Sequence, residues 1–177
     1  MTWTAPMTAV AGAVFTAAQY NQYVRDNFLE LDVAKATTEN SFFAGNGPNS
    51  VALRTPAWDA RTGGSTTTST SYTDLADGVG PSVTVQSGTI AMVWVYCNQY
   101  NTSGTAAWMT FEISGDTTLA ASDINAVQMQ GTDGDRCGAG ILVDTLTGGT
   151  NTFTAKHRVS TSGTGYFSQR RIVVWPF

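Results

Sequence analysis

A chain of 177 residues with a formal net charge of −4 is long enough for one sandwich-sized core plus an appendage, and too short for two average domains. Its acidic balance, with a single basic pair at Arg170-Arg171, argues against nucleic acid, whose phosphates require clustered Lys and Arg. Charged residues at 12% and hydrophobic residues at 42%, with 18 glycines among abundant Thr and Ser, exclude a disordered chain and point to a β-rich one.

The first stretch, WTAPMTAVAGAVFTAAQYNQYVRDNFLEL over residues 3–31, has no Lys or Arg before Arg25. Thr4, Pro6, Thr8 and Gly12 interrupt its apolar residues. It is therefore expected to be neither a signal peptide nor a membrane span, and to remain on the mature protein. Thr16 followed by Gln19 forms a capping box, and Phe15 with Tyr20 has the spacing of a hydrophobic staple. Ala17, Tyr20, Val24, Phe28 and Leu31 then fall on one stripe, which predicts a helix over 17–32. Arg25, Asp26 and Glu30 lie off that stripe. Ala17, Tyr20, Val24, Asn27 and Leu31 also satisfy a two-heptad seam, with Asn27 its polar member. One such helix cannot bury its stripe unaided. It calls for its own domain, copies of itself or a larger assembly.

Residues 35–66 hold Gly, Asn, Pro and Ser punctuation without a sustained period, and are expected to form an irregular linker between a 1–34 arm and a 67–177 head. Phe42, Phe43 and Trp58 suggest that it lies against a surface. From residue 67 the period becomes two. TIAMVWVYC (89–97) is apolar on both faces, so the strand is expected to be central and covered twice, with Trp94 in the core. TAAWMTFEIS (105–114) places Ala107, Met109, Phe111 and Ile113 inside. AGILVDTL (139–146), NTFTAKHRVS (151–160) and GYFSQRRIVVWPF (165–177) alternate likewise. Pro81, NTSG, GTDGD, TGG and STSGTG punctuate the runs. Short strands at regular spacing with polar turns argue a mainly β, antiparallel jelly-roll sandwich with one N-terminal α-helix.

Chemistry is sparse. His157, the one histidine, alternates with apolar residues and reads as a packed side chain. No nucleophile elbow, H-E-x-x-H or P-loop occurs. Asp133 and Asp135 lack the further ligands of a calcium loop. Cys97 and Cys137 match no metal motif and are compatible with either one disulfide or two thiols. The expectation is no catalytic residue, no metal and no cofactor. Of the tryptophans, Trp94 and Trp108 suit the core, Trp3 and Trp58 suit an anchoring role, and Trp175 suits a sheet end or subunit seam.

The opening resembles a segment recurrent in virion proteins of tailed bacteriophages, especially those of actinobacteria: Trp3, Pro6, Gly12, then FTAAQYNQYVRDNFLEL, with Asn21, Arg25, Asp26 and Asn27 its most specific positions. The remainder, including the YFSQRRIVVWPF ending, resembles the jelly-roll heads of phage fibres and spikes, similar in kind to tumour-necrosis-factor-like trimers. The resemblance implies a non-enzymatic structural protein, made in the bacterial host cytoplasm and placed on the virion surface. It implies a homotrimer anchored by its N-terminal segment, as a spike or minor tail or fibre component. Trp3, Phe15, Tyr20, Val24, Arg25, Asp26, Asn27, Phe28 and Leu31 are then the partner-binding residues toward other virion proteins, of the tail or the major capsid. A capsid decoration trimer is the alternative. A sugar-binding or depolymerising protein is a third reading, with a host-surface glycan as a further candidate partner and no nucleic acid or membrane.

Overall fold

The computed structural model describes residues 4–5, 7–8, 10–28, 37–48 and 50–177. Two compact units divide the chain, Met1–Thr55 and Pro56–Phe177.

In the first unit the capping box forms as its residue types require. The Gln19 N–H donates to Thr16 Oγ1 at 3.2 Å, and the Thr16 N–H donates to Gln19 Oε1 at 2.9 Å. The helix runs through an α-helical turn at Ala17–Tyr20, a π-helical segment at Asn21–Arg25 and a final turn at Asp26–Phe28. Positions 29–32 of the expected helix lie outside the described residues. Strands β1 (Phe42–Gly45) and β2 (Val51–Arg54) form an antiparallel hairpin. Its turn is closed by the Asn46 N–H donating to the Ser50 carbonyl at 2.9 Å.

The second unit is an antiparallel sandwich of jelly-roll type. Its strands are β3 (Ala57–Arg61), β4 (Ser65–Thr67), β5 (Ser82–Ser87), β6 (Ala91–Asn101), β7 (Ala106–Gly115), β8 (Val127–Gln130), β9 (Asp135–Val143), β10 (Gly149–Val159) and β11 (Gly165–Pro176). One sheet has the order β5-β10-β7-β8 and the other β3-β11-β6-β9, with β4 also paired to β11. Partners are far apart in sequence because the chain passes back and forth between sheets. The last strand lies inside its sheet, between β3 and β6. This corrects the linker boundary. Residues 57–67 belong to the sandwich, as partners of β11. Strands of three to five residues carry too few alternations to show a period.

The core is the space between the two inner faces. Val93 and Val95 of β6, Met109, Phe111 and Ile113 of β7, Phe153 and Ala155 of β10, and Ile172 and Val174 of β11 are buried there. Phe111 and Phe153 meet at 6.0 Å between ring centroids. A bulge between Ser168 and Arg171 breaks the register of β11 against β6, with Gln169 at φ +50°. The extra residue resets the alternation. Arg170 thereby turns fully inward, while Arg171 turns out.

Candidate functional site

The two outer faces of the sandwich differ in chemistry. On the sheet β3-β11-β6-β9, alternation sends Trp94 and Tyr96 of β6, Val173 and Trp175 of β11, and Trp58 of β3 outward. Register sets Val173 beside both Trp58 and Trp94, and Met92 between Trp175 and Leu142. The side chains thus form contiguous rows. Trp58 is 65% exposed, Leu142 57%, Trp94 52% and Trp175 46%. The strand β6 is therefore central but covered on one side within this unit, and Trp94 is on the surface of the sandwich instead of in its core. Both faces of β6 are apolar, and alternation cannot tell a face covered by the same chain from one left open.

Glycines shape that surface. A Cβ at Gly140 of β9 would lie 3.3 Å from the Trp94 indole, and one at Gly138 would lie 3.2 Å from the Tyr96 ring. The aromatic rings therefore lie across β9. Tyr100 and Tyr166, a cross-strand pair, stack at 4.7 Å with planes 5° apart. Arg171 sits 5.3 Å over the Trp58 ring, a cation–π contact. Beside it, a depression of about 550 Å³ is lined by Ala60, Thr62, Tyr96, Arg136, Gln169 and Arg171.

The outer face of β5-β10-β7-β8 is polar, and its groups pair with one another. Ser82 and Thr154 hydroxyls meet at 2.8 Å, as do those of Thr84 and Thr152. Lys156 Nζ lies 2.8 Å from Asp74 and 3.2 Å from Glu112. Burial opposes the Lys156 charge, but the hydrogen bonds to Asp74 and Glu112 win and hold its pKa above the ordinary lysine value. Arg158 pairs with Asp123 at 2.7 Å and lies over the rings of Tyr72 and Trp108. Trp108, expected in the core, is half-buried under that guanidinium. Thr110, on the face opposite Met109 and Phe111 by alternation, is nevertheless buried, its hydroxyl donating to carbonyls of Ser122 and Asn125 in the covering loop.

Of the partner-binding residues expected in the first unit, Trp3 and Leu31 lie outside the described residues. Phe15 and Tyr20 are exposed and meet edge-on at 6.2 Å, the geometry of the staple. Phe28 is exposed, and Val24 is half-buried. Arg25 pairs with its neighbour Asp26 at 2.7 Å. Asn27 is the exception. It is 5% exposed, its Oδ1 accepts from the Thr4 N–H at 3.0 Å, and its Nδ2 donates to the Thr4 and Tyr23 carbonyls. Its amide is hydrogen-bonded within its own chain and ties Thr4 to the helix.

His157 is fully buried and lies edge-on to Phe167 at 4.8 Å, with both ring nitrogens lacking a hydrogen-bond partner among the described residues. Burial lowers its pKa to about 3. A neutral, sealed imidazole is a packing residue. Nearby Arg170, fully buried, donates to Asp77 at 2.6 and 3.2 Å. No group of three or more His, Cys, Asp or Glu able to hold a metal occurs among the described residues. Among them, too, no helix is long and apolar enough to cross a membrane.

No family model and no curated protein matches the chain. Solved structures resemble it in fold. An Eiger tumour necrosis factor from S. frugiperda is 10% identical over 70% of this chain and 92% of its own, at a TM-score of 0.48. The carbohydrate-binding module TmCBM61, solved with β-1,4-galactotriose, is 8% identical over 80% and 85%, at 0.33. An isomalto-dextranase of Arthrobacter globiformis, complexed with panose, is 14% identical over 73% of this chain and 26% of its own, at 0.35. At such identities the likeness is one of fold. The jelly-roll assignment stands on the strand order itself.

Proposed function

We propose that the protein is a non-enzymatic structural component of a phage virion, a homotrimeric surface spike or minor tail or fibre protein anchored through its N-terminal segment. The observation that carries self-association is the aromatic outer face of β3-β11-β6-β9. Three partly exposed tryptophans present roughly 400 Å² at the usual area of such side chains. That is already within the size of the largest, often functional, patch of an ordinary monomer. Leu142, Met92 and Tyr96 extend it toward the roughly 800 Å² that one partner gives to a standard interface. A second copy of the same face supplies matching apolar chemistry. The virion assignment draws on the resemblance of residues 3–31, and Phe15, Tyr20 and Phe28, exposed in the first unit, are among the residues proposed to dock.

Sedimentation of the full chain is the test. Association at three times the 18.7 kDa chain mass, lost in Trp94→Ser, supports the reading. A monomer at all concentrations overturns it. Mapping the protein on particles of the phage that encodes it then separates tail from capsid: positions over the capsid lattice favour the decoration trimer. The same aromatic face also suits stacking on sugar rings. Glycan binding by a chain that stays monomeric would favour that second reading.

A further inference from the structure

Cys97 and Cys137 stand directly opposite each other on β6 and β9. Both project toward the inside of the sandwich, Cys97 fully buried and Cys137 at the edge, partly exposed. Directly opposed residues of an antiparallel pair have Cα atoms roughly 4.5–5.5 Å apart, inside the roughly 4.4–6.8 Å that a disulfide spans. The Gln99 carboxamide gathers the two sulfurs. The Cys97 Sγ lies 3.1 Å from its Oε1, and its Nε2 donates to Cys137 Sγ at 3.0 Å. Both cysteines are free thiols.

The pair is asymmetric. Burial raises the pKa of Cys97, and its hydrogen bond to Cys137 adds to this. The hydrogen bond from Cys97, with help from Gln99, lowers that of Cys137 in spite of its partial burial. The partly exposed cysteine is thus also the one whose ionisation is eased, and the reactive form of a cysteine is its thiolate.

We propose that Cys137 and Cys97 form a dithiol modification site that closes to an intrachain disulfide by exchange with a small-molecule disulfide such as oxidised glutathione. The Cys137 thiolate attacks one sulfur of the reagent. The reagent's S–S bond breaks, and one small thiolate leaves and takes up a proton. Cys97 then loses its proton and attacks Cys137 Sγ, expelling the second small thiolate, which is protonated in turn. Two electrons and two protons pass from the protein to the reagent, which becomes two thiols. The new bond ties β9, an edge strand, to the central β6. This inference stands on the geometry of the head and is independent of the virion reading.

The test incubates the folded full chain with oxidised glutathione, followed by acid quenching, intact mass and non-reducing peptide mapping. The expected result is a fall of about 2 Da, loss of both thiols, and a link between the peptides that hold residues 97 and 137. Cys97→Ser is expected to stop at one glutathione on Cys137, and Cys137→Ser to react at least tenfold more slowly than wild type. Stable glutathione adducts on wild type without closure, chains linked to one another, or thiols that react only after unfolding would each overturn the proposal. The wild-type mass decides the matter even where a variant fails to fold.

Discussion

The two outer faces of the sandwich are built from the same alternation and differ in what alternates. On β5-β10-β7-β8 most outward residues are polar, and Thr, Ser, Lys and Arg among them have cross-strand or loop partners, with Trp108 under the Arg158 guanidinium. On β3-β11-β6-β9 they are mostly Trp, Tyr, Val, Met and Leu, with Arg171 over Trp58 and with Trp94 and Tyr96 lying over glycines. An antiparallel sheet ordinarily keeps one face wet, and the first face meets that rule within one chain. The second leaves its apolar outer face uncovered within the sandwich unit. If the proposed self-association holds, this exposed face is where copies meet, and the contrast between the two faces can be broken experimentally.

The largest effect tests the interior that both sheets share. His157 stays neutral in the fold, with a pKa of about 3 against an ordinary 6.5. Its folded pKa is lowered, so the unfolded chain binds the proton first as pH falls. Stability is therefore lost progressively between about pH 6.5 and pH 3, at up to about 1.4 kcal/mol per pH unit. Asp77 adds to this further down. Its hydrogen bond from Arg170 holds its pKa below the usual carboxylate value, so its contribution, present at neutral pH, disappears as that carboxylate is protonated. Denaturant midpoints measured across this range should fall with acid, and His157→Leu should flatten the upper part of the slope. An unchanged slope in the variant would place the titration elsewhere.

Next in size is the contrast between inside and outside on one strand pair. Phe111→Ala removes a fully buried ring and should cost about 3–5 kcal/mol of folding stability. Trp94→Ala, measured on the dissociated chain, should cost clearly less, about 1–2 kcal/mol, since the ring is 52% exposed and buries only the remainder against β9. Its effect should appear in association, weakened at least tenfold, because buried aromatics dominate interfaces. Equal losses of stability for Phe111→Ala and Trp94→Ala would restore Trp94 to the core.

These contrasts also show what could be read from residues. The capping box, the inner faces of β7 and β10, and the packed role of His157 were legible, because each rests on local spacing. Trp94 was misplaced because Ala91, Val93, Val95 and Cys97 satisfy the same pattern one residue out of phase. The strands β3 and β4 were hidden by brevity, and they exist through pairing with a distant β11. The clamp of Asn27 on Thr4 spans 23 residues, and no local period records such a bond. The inward turn of Arg170 was legible only as an opposition to Arg171. The bulge at Gln169, which resets the alternation of β11, gave no signal in composition. The aromatic face, as a face, requires the strand order: Trp58, Trp94 and Trp175 come from three strands that the sequence does not place side by side.

The smallest expected effect falls on the polar face. Thr152→Val keeps a β-branched side chain of nearly the same shape at a strand position, so packing and strand preference are preserved. What is lost is the 2.8 Å hydroxyl contact with Thr84, which is exposed, so water replaces the partner. Cross-strand pairs of this kind contribute roughly 0.2–1 kcal/mol, and solvent access places this one near the lower end. A shift of no more than about 0.5 kcal/mol in unfolding free energy is expected, with sedimentation indistinguishable from wild type. The side chain lies on the opposite face of the sandwich from Trp94, so nothing it does should reach an interface built on the tryptophans. If Thr152→Val instead disrupted association as strongly as Trp94→Ala, the contact between copies would involve the polar face. The aromatic rows would then need another occupant, and sugar rings stacked on Trp58 and Trp94 would be the first to try.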